Sequence, residues 1–499
     1  MRKLVVILLM AFSPVLATAQ GFYDHVWLTG NNPFAGFPNG RIVFDSLSYV
    51  HAPEMRKMSF KGTEATICDA QGNFLMSSNG IWIANASNDT MMNGSGLNPG
   101  PGASSWPFGL PMSYNAVFLP HPEDTNKYML IHHSQEQYGA GYPAFQLYKS
   151  TIDIQLDNGL GGVTNKNEII LEDTLNWGVG CVKHANGRDW WVVMVEQASS
   201  KIYKLLITPY GVTTSAQTLP NAHYSWFNGS QISFNSNGDR FAYTANDSVN
   251  NNSFMVTANF DRCTGLITND TSIQLTSGSY LWGTAFSASG KNLYACSSSM
   301  VFQINTDSLS IDTVANYDGY ISPGPTCCAT SFWNMYLAAN GKIYITSGSS
   351  VQHLHEMNYP DSAGFACDVQ QHAIDLGSYL HLRAVPNHPN YNLGPVVGSV
   401  CDSLSVGIAE RSHDFRMGLS PNPTQNGFVK LVYLLPQNQP GELSINSITG
   451  QLMYRQNLPP WSSLQHLDVS YLPGGLYTFV LISGGYRTAT KLVVMGGEE

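Results

Sequence analysis

The residues of this 499-residue chain that could do chemistry are few and scattered. In "HLHEM", His353 and His355 stand two apart, so on a strand both imidazoles fall on one face, with Glu356 adjacent and His372 and His381 downstream. Imidazoles and a carboxylate suit a transition metal, yet the spacing reproduces no established zinc signature, and neither metal nor cofactor is expected. His132 and His133 are neighbours and fall on opposite faces of a strand. In "HANGRDWW", His184 offers a base and Asp189 an orienting carboxylate. The same stretch reads better as structure: Asn186 to Asp189 compose a hairpin turn, and Trp190 and Trp191 open a buried strand with one ring on each side. No GxSxG elbow, phosphate loop or metalloprotease helix occurs, so no catalytic residue is assigned. Paired carboxylates suited to glycoside hydrolysis meet only in three dimensions, and that reading stays open.

Whatever these residues do, β-strands must position them. "HANGRDWWVVMVEQASSKIYKLLITPYG", "FNSNGDRFAYTANDSVNNNSFMVTANFDRCTG", "FSASGKNLYACSSSMVFQINTDSL" and "LAANGKIYITSGSSVQHLHEMNYPD" share one plan: a polar turn with Gly, an alternating strand, a gap and a second strand. Their glycines, Gly187, Gly238, Gly290 and Gly341, recur at 51, 52 and 51 residues, near the period of a kelch blade. Weaker copies surround Gly72 and Asn126. With no long amphipathic helix between them, the copies predict an all-β fold, a β-propeller of six or seven blades. Its extra blade or its closure would come from "HVWLTG", "GRIVFDSLSYV" and "YLHLRAVPNHPNYNLGP".

Composition sets the surroundings. Only 12% of residues are charged, against about 25% in ordinary domains, and the net charge is −10 with no basic cluster, which excludes nucleic acid as a partner. "MRKLVVILLMAFSPVLATAQ" has a basic start, a short apolar run and small residues at Ala17 and Ala19, the plan of a signal peptide spanning 1–19 with cleavage between Ala19 and Gln20. No later run approaches the roughly 20 apolar residues of a membrane helix, so no transmembrane segment is expected. Eight cysteines in an exported chain permit disulfides without forming a dense scaffold. Adjacent Cys327 and Cys328 are poorly placed to bond each other, and Cys367 with Cys401, flanking the end of the large region, is the expected pair.

The large region, expected over 20–400, resembles a secreted propeller family that accompanies type IX secretion and gliding in certain Gram-negative bacteria. The resemblance is carried by "CDAQGNFLMSSNGIWIANASNDTMMNGSGL", "HANGRDWWVVM", "FDRCTG" and "VPNHPNYNLGPVVGSVCDSL". It implies export and a propeller, and no agreed enzymatic activity.

"LSPNPTQNGFVKL" then changes the texture. Pro421 and Pro423 lack amide donors and set off a new module around Asn422. Beyond a linker at 401–414, residues 415–499 resemble the type IX sorting domain. They carry its proline-asparagine-proline start at Pro421, Asn422 and Pro423, and "LSINSITGQLMY" with its turn ending at Gly450. They also carry "LPGGLYTFVLI" with Gly475 and Tyr477, and a final strand near Lys491. The resemblance implies a small immunoglobulin-like β-sandwich read by the secretion machinery. The competing reading is an adhesive module that is never removed.

Taken together, the sequence predicts a non-catalytic binding or adhesion protein, secreted or held on the outer cell surface after passing through the periplasm. Trp106, Tyr138, Tyr142, Trp226 and Trp282 would offer stacking platforms to a glycan or protein ligand. The alternative is a secreted hydrolase or lyase acting on glycans with carboxylates around the central channel. Asp followed by Ser or Thr and a small or aliphatic residue resembles the O-glycosylation sequence of exported proteins in these bacteria. It occurs at Ser46, Thr90, Thr174, Ser248, Ser308, Thr313, Ser362 and Ser403.

Overall fold

The protein is described from a computed structural model covering residues 22–31, 38–45, 48–135, 144–225, 231–323, 328–383, 385–402, 417–425, 427–433, 435, 439–460, 462–483 and 486–495. It divides into two compact units, Met1–Asp402 and Ser403–Glu499. Ala19, Gln20, Ser46, Tyr138, Tyr142, Trp226 and Ser403 lie outside the described residues, as does most of the expected linker.

Among the described residues of the first unit, seven antiparallel blades follow one another along the chain, at 26–54, 65–95, 116–175, 180–218, 232–277, 281–316 and 332–375. The first has three strands and the others four, and blades two and three also touch through a parallel pairing of Met92 with Gly162. The segments left over by the repeat, "HVWLTG" and "GRIVFDSLSYV", supply blade one. The propeller follows from side chains that alternate between the two faces of each blade. Val193 and Ile202 pack with Phe241 and Val256 between blades four and five, and Met255 with Leu293 between five and six. Ala285 packs with Ile343 between six and seven, and Leu28 with Phe60 and Cys68 between one and two. Trp190 and Trp191 show the rule in one dipeptide: Trp190 donates its indole N–H to the Pro120 carbonyl of blade three, and Trp191 donates to Arg262 of blade five.

Ring closure depends on aromatic packing, since blade one takes no strand from the end of the ring. Trp27 and Phe44 meet Tyr344 of blade seven with ring centroids 5.7 and 5.4 Å apart. Tyr379 lies so close over Gly40 that a β-carbon there would sit 1.9 Å from the ring, so only glycine fits.

After the last blade, residues 385–402 run back across one end of the ring as a strap. Tyr391 donates to the Phe118 carbonyl (2.9 Å), Asn387 to Val179 (2.8 Å), Asn390 to Ser236 (2.9 Å), and the Val396 amide to Ala185 (2.9 Å). Arg262, in the "FDRCTG" turn, donates to the carbonyls of Lys183 (2.8 Å), His184 (3.2 Å) and Gly394 (2.6 Å), joining blades four and five to the strap. The strap also corrects the expected disulfide. Cys401 bonds Cys263 in that turn, 138 residues earlier, not Cys367. Cys367 is fully buried in the 3-10 turn Gly364–Cys367, in the core between blades six and seven, whereas the strap carries Cys401 back to blade five.

The second unit is a β-sandwich. A sheet of Met417–Ser420, Phe428–Tyr433 and Leu464–Asp468 faces one of Leu452–Leu458, Gly441–Ser447, Gly475–Ser483 and Tyr486–Val494. Val429, Leu431 and Tyr433 point into its core while Phe428, Lys430 and Val432 face out, the period-2 pattern of a half-buried strand. Asn422 explains why an asparagine stands between the two prolines: its side chain donates to the Lys491 carbonyl (2.6 Å) and accepts from the Val493 amide (3.0 Å). The start of the module is thereby fastened to its final strand.

Candidate functional site

The first strands of consecutive blades lie side by side around the ring axis, so the residues at their ends meet there. At the strap end they enclose a cavity of about 340 Å³, lined among others by Asp24, Trp27, Gln231, Tyr336 and His388, and reaching out to exposed Ala288 and Asn390. Gln231 is satisfied by the Met335 carbonyl (2.7 Å) and the Thr284 amide (2.9 Å). The indole N–H of Trp27 and Nε2 of His388 are out of reach of solvent and have no partner in the protein, while the Tyr336 hydroxyl meets that of Tyr114. Buried polar groups are nearly always paired, so these two unpaired ones stand out.

The tautomer of His388 follows from its neighbours. The single proton of the Tyr391 hydroxyl goes to Phe118, so at 3.3 Å from that oxygen Nδ1 of His388 must donate, which leaves Nε2 a bare acceptor. Burial lowers the His388 imidazole to about 3, so it is neutral at ordinary pH. Burial raises the Asp24 carboxyl, against the lowering effect of its own backbone amide and of His25.

Tyr336 also borders a second polar layer. Its ring lies 5.5 Å from that of Tyr114, and the buried Glu64 carboxyl acts on its hydroxyl. Glu64 and Asn115 stand just before the first strands of blades two and three, Asn176 directly follows the last strand of blade three, and His133 ends its second strand. Both carboxyl oxygens of Glu64, both ring nitrogens of His133 and the whole amides of Asn115, Gln135 and Asn176 are buried without a partner. Burial pushes Glu64 well above the usual carboxylate range, opposed by Arg56, and pushes His133 down to about 3. The Arg56 guanidinium donates to the carbonyls of Met58, Gly40 and Thr29.

The residues singled out by sequence are elsewhere and mostly satisfied. His353 and His372 lie with ring centroids 6.3 Å apart and His355 Nδ1 accepts the His372 amide (2.9 Å), but His353 meets Ser322 (3.2 Å), His355 the Thr330 carbonyl (2.6 Å) and His372 Asp318 (3.0 Å), while Glu356 pairs with Lys342 (2.9 Å). No cluster of three metal-ligating side chains occurs among the described residues. His132 bonds Asn98 (2.7 Å) and Ser150 (3.0 Å), on the face opposite His133. His184 accepts from the Asn186 amide and reaches the Cys263 carbonyl, while the Asp189 carboxylate holds Arg188 and Asn186, so the two serve the turn and not each other. Half-buried Trp282 stacks on Trp333 at 3.7 Å. Sequence reasoning passed over Trp27, Glu64, Asn115, Asn176, Tyr336 and His388. The one available signal was a polar residue standing just before an apolar inner strand, as in "TEATIC" and "YNAVFL".

Comparison with known proteins resolves the second unit. Residues 419–495 match the family described as the secretion system C-terminal sorting domain. The chain carries a type IX sorting module. It is therefore exported by type IX secretion to the cell surface or beyond, and the secretion machinery is a partner. No helix among the described residues is long and apolar enough to cross a membrane. No curated protein matches the chain. Among solved structures it is similar to a functionally unknown protein from Desulfotomaculum acetoxidans, at 12% identity and TM-score 0.37, covering 73% of this chain and 99% of that one. It is also similar to a catalytically inactive virginiamycin B lyase from Staphylococcus aureus, at 13% identity and TM-score 0.36, covering 72% and 88%.

Proposed function

We propose that the sorted chain is a non-catalytic binding protein of the adhesion type, working on the cell surface or in the medium, with its ligand held on the axis of the propeller. In this reading a leader over 1–19, cut between Ala19 and Gln20, takes it into the periplasm, and 415–499 takes it across the outer membrane. The observation that supports binding is the cavity itself, about 340 Å³ at the strap end of the axis and reaching out to exposed Ala288 and Asn390, while His388 on its lining is too weakly basic to take a proton near neutrality. One observation favours the alternative of a hydrolase or lyase acting on glycans: burial raises the Glu64 carboxyl well above the usual carboxylate range, the direction a general acid needs.

Glycan and protein arrays probed with the purified secreted protein, followed by product analysis on every positive ligand, separate the two readings. Saturable binding without product, unchanged in Glu64→Gln, supports the binding protein. Turnover that Glu64→Gln abolishes overturns it, and so does an array without a single ligand.

A further inference from the structure

Among its described residues the sorting module sets a sheet of three strands against a sheet of four, and the two are matched at one side only. There Met417–Ser420 lies against Tyr486–Val494. The outer edge of that last strand is covered: Thr424 donates its amide to the Val493 carbonyl (2.9 Å) and accepts from the Met495 amide (2.9 Å), beside the Asn422 tie. At the other side the four-stranded sheet runs on. Its edge strand Leu452–Leu458 has no counterpart in the short sheet, whose own edge strand, Leu464–Asp468, has no neighbour beyond it.

Side chains paired across strands share a face. Tyr454 and Gln456 pair with core residues Ile445 and Leu443, and Gln465 and Leu467 with core residues Leu431 and Val429, so all four point between the sheets. With Ile445 and Tyr471 they line a groove of about 380 Å³. The groove is reached from solvent, since Tyr471 is 51% exposed and Gln456 and Gln465 are half-buried. Sheets ordinarily guard a free edge with proline, a bulge or an inward charge. Leu464–Asp468 has none of these, and Leu452–Leu458 has a bulge only at Met453, near its start. Arg455 and Asp468, the charged residues of the two strands, are exposed.

We propose that this edge is where the secretion machinery docks, by laying an extended strand of its own beside Leu464–Asp468 and opposite Leu452–Leu458. Such a strand gives the short sheet its fourth member, takes up the free backbone groups of the edge and fills the groove with every second side chain. The lining of amides, phenols and aliphatic groups calls for uncharged residues at those positions. The family match names the occupant's source: the module is read by the secretion machinery, and this is the edge it leaves unpaired. The inference rests on the sorting role and is independent of what the propeller binds.

The test is made on the full-length chain in a type IX secreting host. Gln456→Lys and Gln465→Lys each place an inward charge on a free edge, the device by which natural sheets refuse an added strand. Ala489→Lys, on the exposed face of Tyr486–Val494, is the control. In a second arm Tyr471 is replaced by p-benzoylphenylalanine and crosslinked in the cell, with the same group at 489 for comparison. The expected result is that each lysine variant whose thermal melt matches wild type loses most of its surface protein to the periplasm, while Ala489→Lys is exported normally. Position 471 should crosslink to an outer-membrane component of the secretion machinery identified by mass spectrometry, and position 489 should not. Normal surface levels in both folded lysine variants overturn the proposal. So does an adduct from 471 only with a second copy of the chain or with its own residues 403–416, an equal adduct from 489, or no adduct at all. If both lysine variants melt early, the crosslink decides alone. Failure of the sorting role itself reads out separately, as normal secretion of a chain lacking 415–499.

Discussion

Replacing Cys263 by Ser tests how far the strap fastens the ring. The Cys263–Cys401 bond joins residues 138 positions apart, and cross-linking so long a loop removes much of the freedom of the unfolded chain. In the chain-entropy account a loop of this length contributes about 5 kcal/mol at 25 °C, while measured disulfides more often give about 2–4 kcal/mol. The folded side of the balance changes little, because the hydrogen bonds of Tyr391, Asn387, Asn390 and Arg262 hold the strap without the sulfur bridge. Cys263→Ser, Cys401→Ser and the double variant should therefore each lose about 2–5 kcal/mol in urea unfolding followed by tryptophan fluorescence. The double variant should lose no more than either single one, since one bond cannot be broken twice. Peptide mapping of the unreduced protein with Cys401 joined to another cysteine would refute the reasoning. So would losses that add in the double variant, or single variants within about 0.5 kcal/mol of wild type.

Acid should destabilise the ring well above the range in which carboxylates titrate. Burial lowers His132, His133 and His381 to about 3 and His355 to about 4 from an ordinary 6.5, so between those values the unfolded chain binds more protons than the folded one. The stability they confer is present above pH 6.5 and is lost as pH falls toward 4 and 3, by up to about 1.4 kcal/mol per pH unit for each imidazole; urea midpoints that stay level from about pH 7 to about pH 4.5 would contradict this. Asn422→Ala, which deletes both bonds to the last strand, should cost the sorting module about 1–2 kcal/mol and lower the surface-to-periplasm ratio of the protein; an unchanged ratio in quantitative immunoblots would speak against the tie. Deleting 415–499 should leave a folded propeller that accumulates in the periplasm, and normal yield in the medium would refute the sorting role. Of the Asp-Ser and Asp-Thr sites, Thr90, Ser248, Ser308 and Thr313 are exposed whereas Thr174 and Ser362 are half-buried, so hexose increments should map first to the exposed four; an intact mass without increments rules the modification out.

The sequence alone determined whatever is built from neighbours along the chain. Each blade is a local meander, so the Gly turns at Gly187 and Gly238, the alternation in Lys342 to Ile345 and the paired rings of Trp190 and Trp191 could all be read within a dozen residues. The sorting module was legible for the same reason, its signals standing in order over a short span, and only the part of Asn422 in fastening Lys491 and Val493 needed the fold. Tertiary structure decided what depends on distant partners. Cys367 and Cys401 are the closer pair in sequence, but the path of the strap puts Cys401 beside Cys263. His353, His355 and Glu356 looked like ligands in sequence, and the fold gave each a separate partner. The cavity is assembled from Trp27 of the first blade, Tyr336 of the last and His388 of the strap, three residues with no local pattern in common. A linear pattern records which face of a strand is apolar, and it carries no mark of which polar atoms closure of a ring will bury together without a partner.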